Sequence, residues 1–555
     1  MTHAHHDNAA DQFDYVIVGS GAAGAILANR LTEDGKATVC LLEAGSTDWH
    51  PYLHIPAGFI KAVFNPAFAW QFYSEPNELT KGRPIPLPQG RVLGGSTSIN
   101  GLIYNRGQRS DYDRWAALGN RGWSYAEILP YFKKTERWVG GDDTFRGRSG
   151  ELPVSDIEWK HPIMDAFIAG AVGMGIPRNP DYNGETQEGV GFFQRTIHGR
   201  WRMSTARTFL RPAKSRSNLE IRTNAQATAI LLDGKHATGV QYARNRETGA
   251  LREVRARCEV IICCGAFNTP KLLQLSGIGP GKLLQEMGIP VMHDLPGVGE
   301  NLSDHFSVRI VARAKNIRTL NEIATGVSLG GQIARWVLGM PSVLALSPSL
   351  VYFFCKSKDG LPGPDLQGVF TPASYRQGYV GMLDDYPGMT CGVWRHRPDS
   401  RGYVRLRSRD AFEDPLIQPN YLQDPRDQQG LLDGIHLARR LLRTPELAKF
   451  VDSETLPGPA TVGDADLLDF ARSYGVSSYH PNGTAHMGPA SDPTAVVDDQ
   501  LRVHGLQGLR IADSSVIPSI PSANICAATM MIGEKAADMI RGRAPLKATD
   551  LQLTA

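Results

Sequence analysis

Asp14-Tyr-Val-Ile-Val-Gly19-Ser-Gly21-Ala-Ala-Gly24 opens the stretch that decides the fold, and Thr38-Val-Cys-Leu-Leu-Glu43-Ala-Gly45 closes it. The apolar run Tyr15 to Val18 suits a strand buried on both faces of a parallel sheet. In the Gly-x-Gly-x-x-Gly turn, Gly19 permits the tight bend, Gly21 lets backbone approach a pyrophosphate, and Gly24 lets the following helix pack closely on the strand. The start of that helix offers unpaired N–H groups and partial positive charge to phosphates. Glu43 ends the second strand 19 residues beyond Gly24, where a carboxylate accepts from ribose hydroxyls. A glycine triplet alone could mark a turn with no ligand. With strand, helix and acid all in place, it implies a dinucleotide site and a redox enzyme.

Bulk properties narrow the class. A chain of 555 residues exceeds one core and predicts at least two domains. Apolar residues at 42% and charged residues at 21% are ordinary for a globular protein. The net charge of +3, without a basic run, gives no reason to expect nucleic acid as a partner. Seven cysteines without a Cys-x-x-Cys pair read as reduced core thiols of a cytoplasmic protein, and no metal site is expected. Residues 1–13 read as a disordered polar tail rather than a signal peptide. No run of about 20 apolar residues predicts a membrane span. Val327 to Phe354 is nonetheless unusually apolar, broken by Arg335, Pro341 and Pro348. Burial is the default there, with a homodimer contact or peripheral attachment to a membrane as the alternatives.

Along the chain, the proline- and aromatic-rich passage Pro51 to Pro88 predicts an irregular surface wrap. Helical patterns follow at Ser110 to Leu118 and Tyr125 to Thr135. Leu219 to Tyr242 predicts strands with a turn at Asp233-Gly234, and Glu259 to Cys264 predicts a further buried strand. Past His305 the segments alternate in β fashion, most cleanly in Gly402-Tyr-Val-Arg-Leu-Arg-Ser408. Helices are expected over Asp424 to Leu442 and Asp464 to Ser473. A strand at Leu509 to Ala512 and a last helix at Ala527 to Arg541 return to the nucleotide-fold type.

Four further segments narrow the fold to a family. They are Gly90-Arg-Val-Leu-Gly-Gly-Ser-Thr-Ser-Ile-Asn100, the turn and helix from Gly265 to Gly279, Leu295-Pro-Gly-Val-Gly-Glu-Asn-Leu-Ser-Asp-His305, and the pair Tyr479-His-Pro-Asn-Gly-Thr-Ala-His-Met-Gly488 with Pro521-Ser-Ala-Asn-Ile525. From Asp14 to Arg541 the chain resembles the glucose–methanol–choline family of FAD-dependent oxidoreductases, with the weakest match over residues 310–400. The resemblance implies an α/β fold: a Rossmann-like FAD-binding domain assembled from residues 14–155, 202–310 and 470–545, and a β-rich substrate-binding domain of antiparallel sheet plus helices from residues 156–201 and 311–469. It implies that Gly19, Gly21, Ala22, Ala23, Gly24, Glu43 and Ala44 bind the ADP half of FAD. Arg91, Gly94, Gly95, Asn100 and Gly101 fall toward the flavin, Ala227 near the adenine, and Asp513 near the ribityl–phosphate region. Ile99 stands where some relatives carry a histidine joined covalently to the flavin, so non-covalent FAD is expected.

Oxidising an alcohol through a flavin requires a base for the hydroxyl proton, and histidine titrates in the right range. Residue chemistry alone does not select one of 15 histidines. The resemblance selects His480, with Asn524 as its partner 44 residues on, an amide able to donate to the substrate oxygen. His305, in its Asn-Leu-x-Asp-His motif, and His486 read as structural, with contact to substrate the lesser alternative for His486. The expected reaction is oxidation of a neutral primary alcohol to an aldehyde, electrons passing to a quinone-like carrier or to oxygen, with a dehydrogenase favoured over an oxidase. Choline is not favoured, because Ser347 to Phe354 holds no acid for an ammonium group. A cyanohydrin-type lyase and a non-catalytic nucleotide-binding protein are the rival readings.

Overall fold

The computed structural model describes residues 11–244, 250–376 and 382–551. Strand β1 (Gln12–Val18) begins inside the tail expected over 1–13, because Arg222 forms an ion pair with Asp11 and β1 pairs from Gln12 onward. Residues 1–10 lie outside the described residues. Helix α1 (Gly24–Thr32) is buried along its whole length and leads to β2 (Val39–Leu42).

These strands form the centre of the first sheet. Its order runs Leu219–Arg222, β2, β1, Leu251–Ile262, His236–Ala243, Gln226–Asp233. The first four are parallel. The 12-residue strand Leu251–Ile262 serves two partners along one edge. Its first half pairs antiparallel with His236–Ala243, and its last three residues pair parallel with Leu509–Ile511. Register aligns Val18 with both Leu42 and Ile262, so three strands end at one level. A ligand crevice lies beyond such carboxyl ends in open α/β sheets. The final helix, Cys526–Ile540, packs behind α1 at close range: a Cβ on Gly533 would stand 2.8 Å from Ala23 Cα. Arg30 Nε donates to Glu534 at 2.7 Å and adds an ion pair at that contact.

The second sheet is antiparallel, in the order Val451–Leu456, Phe306–Ala314, Gly388–Arg395, Leu366–Thr371, Val351–Cys355, Gly189–Phe192. Its side chains alternate with the two-residue period of strands. Val308, Ile310, Met389, Cys391, Val393 and Phe370 join the buried cluster that includes helices Pro162–Gly173 and Pro425–Leu442. Ser307, Arg309, Val369, Thr371, Thr390, Gly392 and Trp394 face the other way, into a cavity. Strand Phe306–Ala314 lies wholly in this sheet, so the expected boundary at 310 cuts through a strand.

Three expectations need correction. Pro51 to Pro88 is not a mere surface wrap: Leu53, Phe72 and Leu87 are buried, and Phe59, Val63, Trp70 and Phe72 line the cavity. Alternation over 402–408 shortens to a three-residue strand, Tyr403–Arg405. Burial holds for Val351–Cys355 but fails for helix Gly326–Val337, which buries no residue. Its inward side carries Trp336, set edge-on against Trp201 at 4.8 Å. Its outward side carries Val327 (95% exposed), Ile333, Val337 and, just past its end, Leu338 (74% exposed). No described helix is long and apolar enough to cross a membrane.

Candidate active site

A cavity of about 410 Å³ runs from the Gly19–Gly21 turn to the second sheet. At its nucleotide end, Gly19 adopts φ +99°, and a Cβ there would stand 2.4 Å from Cys263 O. A Cβ on Gly24 would fall 1.9 Å from Gly19 O, which is the close helix–strand approach expected of the third glycine. Gly95, at φ +52°, packs against the same turn, and its Cβ would meet Gly21 Cα at 2.7 Å. Only a side-chain-free backbone fits on both loops. Gly21, Ala22 and Ala23, at the start of α1, face the cavity.

Of the residues expected at the cofactor, Gly19, Gly21, Ala22, Ala23, Glu43, Ala44, Gly95, Asn100, Gly101, Ala227 and Asp513 line this cavity. Gly24, Gly94 and Arg91 do not reach its wall. Gly94 holds the 90–100 loop at φ +87° and takes a hydrogen bond from Thr97, while Arg91 stacks on Trp70, which is on the wall. Glu43 is buried and accepts from Ser20 N (3.1 Å), Ser20 Oγ (2.5 Å) and Gly45 N (2.8 Å). Burial raises its pKa above the ordinary carboxylate value against those donors. Asp513 accepts from Gly265 N, Thr269 Oγ1 and Ser515 N, tying helix Gly265–Leu275 to the end of the cavity. Burial raises it as well. A glycine cradle, a helix N-terminus and an acid beyond the second strand fit a bound dinucleotide. Ile99 lies on the wall with a saturated side chain that forms no bond to a flavin.

At the far end, His480 and Asn524 meet: Asn524 Nδ2 lies 2.9 Å from His480 Nε2. The ring's other nitrogen, Nδ1, lies 2.9 Å from His305 Nδ1, and His305 Nε2 lies 2.6 Å from the backbone oxygen of His396. A carbonyl only accepts, so His305 carries its proton on Nε2. Its bare Nδ1 then accepts from His480 Nδ1–H. His480 Nε2 is thereby left unprotonated, and its lone pair accepts from Asn524 Nδ2–H at the cavity wall. Burial lowers the pKa of His305 to about 4 and drives that of His480 well below the ordinary histidine value, so both rings are neutral at pH 7.

Asp304 fixes the backbone beneath both histidines. It accepts from His305 N (2.9 Å), His480 N (2.8 Å) and Ser477 Oγ (2.5 Å), and from the Tyr421 hydroxyl. Burial lifts it to about 6 although four donors favour its charged form. Tyr479, just before the base, is held in the left-handed region at φ +63°, a costly conformation for a bulky residue. These contacts hold the backbone at His480 in place.

Sequence reasoning missed much of the chamber around this pair. From Val327 to Phe354 only Pro348 and Ser349 reach it. Its wall is instead Ser307, Arg309, Thr371, Tyr375, Thr390 and Trp394, within or near the region of weakest resemblance. Alternation in Phe306–Ala314 groups Ser307 with Arg309, but nothing in the chain says which face meets a cavity. Arg202 was also missed. It is buried behind Asn100, donating to Asn100 Oδ1 at 2.8 Å and to Thr97 O at 3.2 Å.

Comparison with known proteins matches this architecture. Models of GMC oxidoreductase match residues 13–307 and 398–533. The chain belongs to the GMC oxidoreductase family. It is 39% identical to the oxygen-dependent choline dehydrogenase of Photobacterium profundum, over 96% of this chain and 94% of that protein. It is also 39% identical to the protein of that name from Rhizobium johnstonii, over 96% of each. Among solved structures, pyridoxine 4-oxidase from Mesorbium loti superposes with TM-score 0.86 at 28% identity, over 96% of this chain and 99% of that one. Formate oxidase from Aspergillus oryzae superposes with TM-score 0.88 at 26% identity, over 96% and 98%. This GMC chain is accordingly an FAD flavoprotein oxidoreductase with a Rossmann-like domain and a substrate domain.

Proposed function

We propose that this GMC protein oxidises a primary alcohol to its aldehyde, with His480 as general base and Asn524 as hydrogen-bond donor to the alcohol oxygen. The observation that carries the reading is the 2.9 Å convergence of Asn524 Nδ2 and His480 Nε2 at the wall of the cavity that begins at the glycine turn. Bound FAD supplies the acceptor for the hydride of the carbinol carbon. A hydroxyl that enters between the two side chains gives its proton to Nε2. As the oxygen gains alkoxide character, the Asn524 amide stabilises it. The entering hydroxyl replaces the Asn524–His480 hydrogen bond, while His305 keeps the ring that takes the proton oriented.

The cofactor is read as non-covalent, since Ile99 offers no nucleophile; acid precipitation should leave the flavin in the supernatant. Choline remains disfavoured although relatives bear its name, because the carboxylates on the cavity wall, Glu43 and Asp513, both sit at the nucleotide end and are occupied by protein donors. A dehydrogenase is favoured over an oxidase, although the relatives are named oxygen-dependent choline dehydrogenases and the two solved structures are oxidases.

The test is anaerobic mixing of FAD-loaded protein with alcohols while following oxidised-flavin absorbance. Bleaching is expected, and His480→Ala should slow it about 100-fold or more. Bleaching by His480→Ala at the native rate would sink the assignment. Admitting air afterwards distinguishes oxidase from dehydrogenase by the speed of reoxidation.

A further inference from the structure

Arg309 projects from the middle of strand Phe306–Ala314 into the substrate chamber, and its guanidinium, among the described residues, makes no hydrogen bond or ion pair. Arg30, Arg106, Arg146, Arg222 and Arg439 each hold a carboxylate, and the buried Arg195 and Arg202 donate to backbone or amide oxygens, whereas the Arg309 guanidinium does neither. Its place is built. Arg309 pairs across the ladder with Gly392, whose other neighbour is Val369, and a Cβ on Gly392 would stand 2.9 Å from Val369 Cγ2. Val369 Cγ2 already occupies the place a side chain on Gly392 would take, so the ladder beside Arg309 is closely packed.

The surrounding chemistry points the same way. Tyr375, Tyr479, Thr371 and Thr390 contribute hydroxyls to this wall. Trp394, buried and on the same wall, has an indole N–H without a partner. The hydroxyls of Thr371 and Tyr375 donate to Pro348 O and that of Thr390 to Ala373 O, so among the described residues the charged donor left unengaged at the chamber end is the Arg309 guanidinium, a full positive charge with no carboxylate beside it. A planar guanidinium fork matches an oxyanion in two parallel hydrogen bonds. A quaternary ammonium would gain from the rings of Tyr375, Tyr479 and Trp394 but would meet a like charge. Distance along the strand sets the length of the ligand. Ser307 pairs with Val476 next to the base segment, and Arg309 lies two residues on, roughly 7 Å at strand rise.

We propose that Arg309 determines specificity by binding an oxyanion, so that the substrate is an alcohol with a carboxylate or sulfonate several carbons from the carbinol. The inference rests on the alcohol-oxidation reading above. It departs from choline, the substrate named for the relatives at 39% identity.

The experiment compares anaerobic flavin reduction by 6-hydroxyhexanoate, 1-hexanol, choline and 3-hydroxypropanesulfonate in FAD-loaded native protein, Arg309→Met and Arg309→Lys. Native protein should favour 6-hydroxyhexanoate over 1-hexanol by roughly 30-fold in reduction efficiency, chiefly through Kd, with choline poorest. Arg309→Met should erase that preference by losing 6-hydroxyhexanoate far more than 1-hexanol, while Arg309→Lys keeps part of it. The sulfonate arm shows whether the fork requires a carboxylate. A native preference for choline or 1-hexanol, or an equal loss on all substrates in Arg309→Met, overturns the proposal while leaving alcohol oxidation intact. Hexanoate, which has no hydroxyl, separates the remaining case. If no alcohol bleaches the flavin but hexanoate perturbs its spectrum in native protein and not in Arg309→Met, the oxyanion site stands and alcohol oxidation falls. If hexanoate has no effect either, both fall.

Discussion

A neutral imidazole carries one proton, and the nitrogen that holds it decides whether His480 can act as a base. The carbonyl of His396 settles this two residues away, through His305. In the sequence His305 reads as a structural member of its motif; in the fold it orients the His480 ring proposed as the base. His305→Leu removes the acceptor for His480 Nδ1–H and should slow flavin reduction about 100-fold, with FAD content unchanged and alcohol Kd altered little. His305→Asn restores an acceptor at the same place and should recover at least about tenfold of that loss. Equal defects in the two variants would reduce His305 to a packing role. The pH profile carries a second expectation. His480 is held well below the ordinary histidine value, so the acid limb of kcat/KM should fall below pH 6.5 rather than at it. An acid limb centred at 6.5 in native protein would show that the base is not this buried ring.

At the scale of elements, β1, α1 and β2 were legible because glycine spacing and strand apolarity are local properties. The same holds for helices Tyr125–Thr135 and Pro425–Leu442, whose capping residues Ser124 and Asp424 stand just before the first turn. The second sheet was legible as β structure but not as a chamber wall. Which face of Phe306–Ala314 meets a cavity depends on helix Pro425–Leu442, more than a hundred residues later, covering the other face. Helix Gly326–Val337 misled because composition reports apolar residues and not the side on which they stand. Its outward position makes a prediction: Ile333→Lys exposes nothing new and should change stability by about 0.5 kcal/mol or less in thermal unfolding. Gly24→Ala is the contrasting case. Its Cβ would fall 1.9 Å from Gly19 O, a backbone atom that cannot rotate away. That variant should lose about 1–3 kcal/mol and should purify with little FAD.

For the whole molecule, the histidine cluster ties stability to pH. His305 titrates at about 4 in the fold, and burial drives His480 and His396 well below the ordinary value. Unfolded, each binds a proton near pH 6.5. Below 6.5 the unfolded chain thus takes up protons that the fold refuses, and stability falls with pH until the folded groups titrate. For His305 the window runs from 6.5 to about 4 and is worth on the order of 3 kcal/mol. Asp304 runs in the opposite direction, since its raised value of about 6 lets the fold bind a proton first as pH drops. Glu43 and Asp513, raised by burial, act in the same sense as Asp304, while the lowered His54 and His161 add to the histidine side, and the balance is a net loss on acidification. Thermal unfolding of the FAD-loaded protein should therefore shift to lower temperature between pH 7 and pH 5, and His305→Leu should flatten the shift. A Tm that rises on acidification would mean that the raised carboxylates dominate. The cofactor adds a second linkage. The cavity is lined by both sheets, so FAD binds the folded assembly and not the unfolded chain. At a free concentration 100 times Kd it should contribute about 2.7 kcal/mol, and Tm should climb with added FAD. Removing FAD should lower the unfolding temperature of both domains together, because one ligand surface joins strand ends Val18 and Leu42 to the chamber wall at Thr390 and Trp394. If only the domain of the glycine turn loses stability on FAD removal, the second sheet owes nothing to the cofactor and the two halves are energetically independent.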